Sequence, residues 1–486
     1  MFAAFGEFKP DVSDLRAGHS ILLKNVLPRG DGYGPLKDLL ALTSALAAAC
    51  RGLFFARKSD GSVVIFAGTS TKLYRLNNTT YEWVDVSKSA GSYSAIASTD
   101  VWQFAQYGNY VFAVQANVAP QVYDLSSSTE FADLGGSPPQ AKYISIVNRF
   151  VVLSGLTSNP YRIQWSGLNA TTTWTSGTNS SDYQDFSDGG IVMGIAGGET
   201  GIVFQGGVIR RMTYAPGSPV IFQIERVTRD IGLYAPYSLI TSNDRIYWLA
   251  SQGFYEMDSA SYPVPLGRER FDRTFFAEWD ATAPQLMVGV SDPQAGRVFW
   301  AYKTATGTTG LFNKILCYDT VLKRATTIDM TGEYIASFSQ PGVTLENLDS
   351  VSASIDALTQ SLDSYGAAQT PEVVVVNSSH VVCTLRGSNL EATLETPEYA
   401  EQGEGRIYTN FIRPITDAPT VYASVLKRET QYSSSSATAE SLINSIGVCP
   451  LRASARYMRG KIRIPAATSW TFATGVETEG VADGER

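Results

Sequence analysis

Short apolar runs recur along this chain, each followed by a turn and then a strand-like stretch carrying aromatics. SVVIFAG precedes TKLYRL, NYVFAVQ precedes PQVYDL, RFVVLSG precedes PYRIQWS, TGIVFQG precedes VIRRMTY, DRIYWLAS precedes GFYEMD, and GRVFWAYK precedes NKILCYD. Aligned positions in the first strand of each pair are Phe66, Ala113, Leu153, Phe204, Leu249 and Ala301, separated by 47, 40, 51, 45 and 52 residues. A period near 40–50 with paired strands is the mark of a β-propeller. One small sheet has two apolar faces and is not stable alone; radial stacking buries both and leaves only short edges. The spacing of helical solenoids, i, i+3, i+4, is missing, and no Gly-His…Trp-Asp signature marks a WD repeat.

The predicted fold is therefore all-β, a propeller of seven blades or alternatively six. EYIASFS begins the last unit and VVVVNSSHVVCTLRG resumes it. Between them lies a polar, acidic insertion near residues 341–371, read as a projecting interaction arm or a solvated loop. The propeller spans 46–395. Residues 1–45 form an arm ending in LLALTSALAAA, a short helix or an apolar strand. Residues 396–486 contain RIYTNFIRPI, TVYASVLKRET and MRGKIRIP and form a smaller, sandwich-like β domain with which the arm is expected to pack.

The glycine-dense stretch GGIVMGIAGGETGIVFQGG belongs to the fourth unit. It lacks the lysine and hydroxyl of a Walker loop and the Gly-x-Gly-x-x-Gly of a dinucleotide site. Gly197-Gly198 and Gly206-Gly207 are expected to be hairpin turns around one short strand, with positive φ at some of them.

Composition narrows the chemistry. Aromatics reach 11% and charged residues only 17%, as suits β structure, and the net charge of −8 gives no global footprint for duplex DNA. Cys50, Cys317, Cys383 and Cys449 are far apart, so neither a zinc site nor a disulfide framework is expected, and a reducing compartment fits. His19 and His380 are the only histidines, too few for a three-histidine metal site. No cofactor is predicted. The N-terminus lacks a secretory pattern, and no window approaches a membrane span. Two carboxylate groups, Asp182, Asp185 and Asp188, then Asp272, Glu278 and Asp280, are weighed as glycosidase pairs. Turn chemistry and a short capped helix account for them better. Sialidase boxes and a Gly-x-Ser-x-Gly elbow are missing, and no enzyme activity is expected.

One basic run stands out. In RYMRGKIRIP, Arg459, Lys461 and Arg463 alternate with apolar residues, placing three cations on one face of a strand, with Arg452 and Arg456 before them. A nucleic-acid stripe, a solvated face, and pairing with acids are the readings. Glu391, Glu395, Glu398, Glu401 and Glu404 make pairing between subunits the preferred one, so Arg456, Arg459, Lys461, Arg463, Glu395, Glu398 and Glu401 are the candidate subunit or adaptor interface.

The chain also resembles a known family, the tail nozzle proteins of short-tailed bacteriophages, also called tail hub or packaged-DNA stabilisation proteins. The resemblance runs in order through GYGPLKDLLALTSALAAACRG, GTSTKLYRL, GGSPPQAKYISIVNRFVVLSG, IQWSGLNATTTWT, QDFSDGG, IVFQGGVIRRMTY, GFYEMDS, GRERFDRTFF, RVFWAYK, PGVTLENLD, LEATLET and VCPLRASARYMRGKIRIP. It implies a homo-oligomeric ring, usually of six, assembled in the host cytoplasm and located in the virion tail below the portal and its adaptor. Such a ring continues the channel for double-stranded DNA, retains packaged DNA, and docks fibre, needle or plug proteins. No catalytic residue follows from it. The competing expectation is a carbohydrate-active or receptor-binding propeller with a deep axial pocket lined by Trp165, Trp248 or Trp300 and carboxylates.

Overall fold

Each sequence repeat folds into antiparallel strands connected as a meander. The computed structural model describes residues 2–13, 15, 18–218, 220–339, 354, 371–400 and 405–483. The first sheet comprises Leu53–Arg57, Val63–Gly68, Leu73–Leu76 and Trp83–Asp85. The second comprises Gln103–Tyr107, Tyr110–Gln115, Val118–Asp124 and Ala132–Asp133, and the third Ala141–Val147, Phe150–Leu156, Arg162–Trp165 and Asp182–Asp185. Val192–Ala196, Thr200–Gln205, Val208–Tyr214 and Phe222–Arg229 make the fourth; Ile240–Ser242, Arg245–Ala250, Gly253–Asp258 and Val264–Pro265 make the fifth. Val288–Asp292, Arg297–Tyr302, Phe312–Asp319 and Arg324–Gly332 follow, and this group is continued by Leu23–Lys24, which runs parallel to its last strand at Thr327.

The last such group is completed from the other end of the chain. Tyr334–Phe338, Glu372–Val376 and Val381–Thr384 take Leu40–Ala45 as their fourth strand, antiparallel to Val381–Thr384. The LLALTS stretch is thus a strand, because an unfilled sheet edge offers it backbone partners at both ends, with a register shift between Ala41 and Ala45. Its partners are more than 300 residues away. The insertion expected near 341–371 separates Phe338 from Glu372 and, apart from residues 354 and 371, lies outside the described residues.

Burial explains why the repeats read as unbroken apolar runs. Val63–Gly68 and Phe150–Leu156 are buried at every position, because each sheet is covered on both faces, and an alternating pattern would put polar groups into a neighbour. The layers between sheets follow the sequence order. Phe66 meets Tyr123 and Phe131 at ring centroids of 5.0 and 5.4 Å. Phe112 shares a core with Leu153. Phe150 and Trp165 pack on Phe222, Phe204 on Trp248, and Phe254 on Trp300. The final layer unites Phe299, Ile335 and Val375 with Ile65 and Ala67 of the first sheet. The fold is all-β and propeller-like.

The terminal segments build one further sheet and extend the group ending in Arg324–Gly332, through Leu23–Lys24 and Ala392–Glu395, into a second; the two share a core that includes Ile407, Ile412, Val425, Ile462 and Val476. One sheet has the order Cys449–Ala455, Arg406–Thr416, Ala473–Asp483, Gly32–Pro35, Val26–Arg29, with Phe2–Ala4 also on Ala473–Asp483. In the other, Tyr457–Ile464 lies between Ala392–Glu395 and Tyr422–Arg428. Ala392–Glu395, expected at the end of the repeat region, therefore pairs with the C-terminal segment. Strands from the arm complete sheets in both parts of the molecule.

Candidate functional site

The basic strand Tyr457–Ile464 has the alternation the sequence predicts: Met458, Ile462 and Ile464 are buried, while Lys461 and Arg463 emerge on the other face. Arg459 lies on that second face and is nonetheless buried. Its Nη2 lies 3.8 Å from Glu398 Oε1. Glu398 is 2% exposed and is gripped by Arg428, whose Nε donates to Oε1 at 2.7 Å and Nη2 to Oε2 at 2.5 Å. Lys461 Nζ stands 3.9 Å from Glu395 Oε1. Arg463 donates to Glu391 at 3.0 Å and to Glu440 at 2.6 Å, and its guanidinium sits 4.5 Å over the Tyr422 ring. Its hydrogen bonds hold the Glu440 carboxyl below its ordinary range and raise the guanidinium above its own.

Within one chain the strand already has acidic partners, so its charges alone do not call for pairing between subunits. The acids that neutralise the strand come from the same chain, because Ala392–Glu395 runs antiparallel beside it and sets Glu395 opposite Lys461 and Thr393 opposite Arg463. Glu401 lies outside the described residues. Arg456 is half-buried in the bend between Cys449–Ala455 and Tyr457–Ile464.

Both carboxylate groups are bound up in local contacts. Asp185 takes two hydrogen bonds from Arg162 at 2.6 and 2.8 Å, Asp188 bridges Arg210 and Arg226, and Asp182 accepts from Ser176 at 2.6 Å. Glu278 is held by Tyr302 and Lys314, each at 2.5 Å. Lys303 lies 2.6 Å from Asp280, and its hydrogen bond lowers that carboxyl to about 2. Asp272 differs. It is buried on the first turn of the helix Asp272–Glu278, and burial, with the charge of Asp11 adding to it, raises its carboxyl to about 7.

The first strands of every four-stranded group but the first contribute to the lining of a cavity of about 300 Å³. Its polar side chains are Gln103, Tyr143, Ser145, Tyr237, Thr241 and Tyr334; the rest of its lining is apolar residues and glycines, and no described carboxylate, histidine or lysine borders it. Trp248 and Trp300 are fully buried between sheets and Trp165 is 4% exposed, so the tryptophans weighed as pocket walls are core. Their indole N–H groups donate to the carbonyls of Gly232, Ser238 and Ser180.

The glycines turn out to be packing devices. Gly197 and Gly198 join Val192–Ala196 to Thr200–Gln205, and their turn presses on the third sheet. Gly198 N donates to Ile146 O at 3.0 Å, and Asn148 N returns a bond to Gly198 O at 2.7 Å. A Cβ on Gly197 would stand 2.3 Å from Ile146 O, and Gly198 has φ of +141°. Gly206 and Gly207 turn into Val208–Tyr214 without positive φ, held by bonds to the carbonyls of Ile191 and Gly189. That pair departs from the expected hairpin geometry because the turn is fixed by the preceding loop rather than by its own twist.

Sequence reading missed Asp11. Its carboxylate caps the helix Asp272–Glu278, accepting from Arg273 N at 2.7 Å, Thr274 N at 2.9 Å and Thr274 Oγ1 at 2.7 Å. Beside it, Glu7 pairs with Arg270. A cap contributed from 262 residues away leaves no local signature.

No family model matches the chain, and a search of curated proteins finds no match. Among solved structures it is similar to the extracellular domain of a hybrid two-component system from B. thetaiotaomicron, at 10% identity and a TM-score of 0.42. That alignment covers 77% of this chain, which spans only 43% of the matched one. A chain of the mitotic checkpoint complex matches at 9% identity and a TM-score of 0.37, over 64% of this chain and 94% of that one.

Proposed function

We propose that this chain is a structural subunit of a phage virion tail. In this reading it forms a ring of six copies that extends the DNA channel below the portal and adaptor, helps retain packaged DNA and docks fibre, needle or plug proteins. The four-stranded groups are then the blades of a seven-bladed propeller, the last completed by Leu40–Ala45. The sheets built from the two terminal segments form a smaller sandwich-like domain. The ordered series of nozzle-like segments supports the reading.

The observation that carries it within the fold is the lining of the axial cavity. A carbohydrate-active propeller works through paired carboxylates and exposed aromatic faces at the axis. Here Asp185, Asp188, Glu278 and Asp280 lie away from the axial cavity in arginine and lysine contacts, Asp182 and Asp272 accept hydrogen bonds from Ser176 and the Phe254 N–H, and the tryptophans fill the layers between sheets. Strands exchanged between the terminal domain and the propeller suit a rigid scaffold.

Native mass spectrometry and negative-stain microscopy of the purified chain test the proposal. Closed rings, and the same ring at the base of the phage particle, are expected. Glycan turnover or saturable glycan binding that is lost on replacing Tyr237 would overturn it in favour of the carbohydrate reading.

A further inference from the structure

A strand that is hydrogen-bonded on one side only is a template for another strand, and folded proteins shorten, charge or cover such edges. Most outer strands here follow that rule. Trp83–Asp85, Ala132–Asp133 and Val264–Pro265 are 3, 2 and 2 residues long. Arg324–Gly332 is covered by Leu23–Lys24. Setting aside strands that face the axis, two strands of seven or more residues pair on one side only among the described residues. They are Phe222–Arg229, the outer strand of the fourth sheet, and Cys449–Ala455, the edge of the terminal six-stranded sheet.

We infer that in the assembled protein Phe222–Arg229 of one copy adds antiparallel to Cys449–Ala455 of the next, joining the propeller of one subunit to the terminal domain of its neighbour. The inference rests on the ring reading above. Two different edges on one chain make a head-to-tail contact, the kind that generates rings. Side-chain alternation fits as well. Gln223 and Glu225 face solvent while Phe222 and Ile224 face inward; Pro450 and Arg452 face solvent while Cys449 and Ala453 face inward.

Setting Glu225 opposite Arg452 keeps outward residues with outward ones and places Ile224 opposite Ala453. Glu225 is exposed, with Gln223 donating to it at 2.6 Å. Arg452 is exposed and has no ion pair among the described residues. Opposite charges facing each other across strands stabilise pairing, and like charges oppose it. Pro450 has no N–H to give an added strand, so at that position the pairing rests on its carbonyl alone. Arg406 donates to Ser454 O at 3.3 Å, so the added strand spans 449–453.

The test is charge reversal followed by native mass spectrometry of the full chain. Glu225→Arg and Arg452→Glu are each expected to weaken association roughly ten-fold, as like charges then face each other, and combining them restores it. Arg452 has no ion pair to lose among the described residues, so its variant should melt unchanged; Glu225 lies opposite Arg211 in its own sheet, so Glu225→Gln, which sets no arginine against Arg211, is the folding control for that site. In a Glu225→Cys/Arg452→Cys protein, oxidation should link neighbouring copies. If the unmodified chain forms rings that neither reversal weakens, and the paired cysteines do not cross-link, the strand pairing is wrong and the ring reading stands. If the unmodified chain stays monomeric and no ring of it is seen in the particle, both fall.

Discussion

Glu398 is the residue whose loss should most damage the sheets built by the C-terminal segment. Its carboxylate is 2% exposed, and the side chains of Arg428 and Arg459 beside it are 15% and 10% exposed. Replacing it with alanine removes the carboxylate that two largely buried guanidinium groups share. Breaking a buried pair by removing one partner costs about 3–5 kcal/mol. Lys461→Met is the control. Its partner Glu395 is 3.9 Å away and the lysine side chain is 30% exposed, so a loss under about 1 kcal/mol is expected. Urea unfolding, followed through near-ultraviolet circular dichroism and hydrogen exchange of 406–478, reads the C-terminal strands themselves. The Glu398→Ala/Arg428→Met double variant should lose less than the single changes add up to, because it removes a cation together with its partner. If Glu398→Ala costs no more than Lys461→Met, or the double variant is additive, Glu398 is not the hub of a desolvated cluster and the reasoning fails.

Three further outcomes follow from the geometry. Gly197→Val should cost well over 1 kcal/mol in urea unfolding, because its Cβ meets a backbone carbonyl at 2.3 Å, whereas Gly207→Ala, with its nearest contact at 3.7 Å, should cost far less. Asp272, whose carboxyl is raised to about 7 in the folded chain, binds its proton more tightly there than when unfolded. Its contribution is full below about pH 4 and is lost as pH rises towards 7, and Asp272→Asn should flatten that slope in urea midpoints measured across the range. Asp11→Ala removes a helix cap and a tether together. A loss of about 1–2 kcal/mol and faster proteolysis of residues 2–13 are expected, while unchanged protection of that segment would show that Asp11 does not hold it.

Much of the fold was legible because its signals are local. The period of paired apolar strands marked every sheet from Leu53 to Asp319, since a strand buried on both faces must be apolar throughout. Alternation in RYMRGKIRIP likewise placed Arg459, Lys461 and Arg463 on one face of a strand. The glycines were recognised as turns, yet the reason for Gly197 lay in the third sheet, against Ile146.

What the sequence alone determined was the strand content, the repeat and the lack of a nucleotide loop, all set by neighbours within a few residues. Tertiary structure decided the rest. It brought Leu40–Ala45 to Val381–Thr384, Asp11 to the helix at Asp272, and Glu398 to Arg428 and Arg459. Each of these joins groups whose affinity is generic, a bare strand edge, a helix N-terminus, a buried cation. Many segments of the chain meet such a demand equally well, and only the path of the folded backbone selects which one arrives.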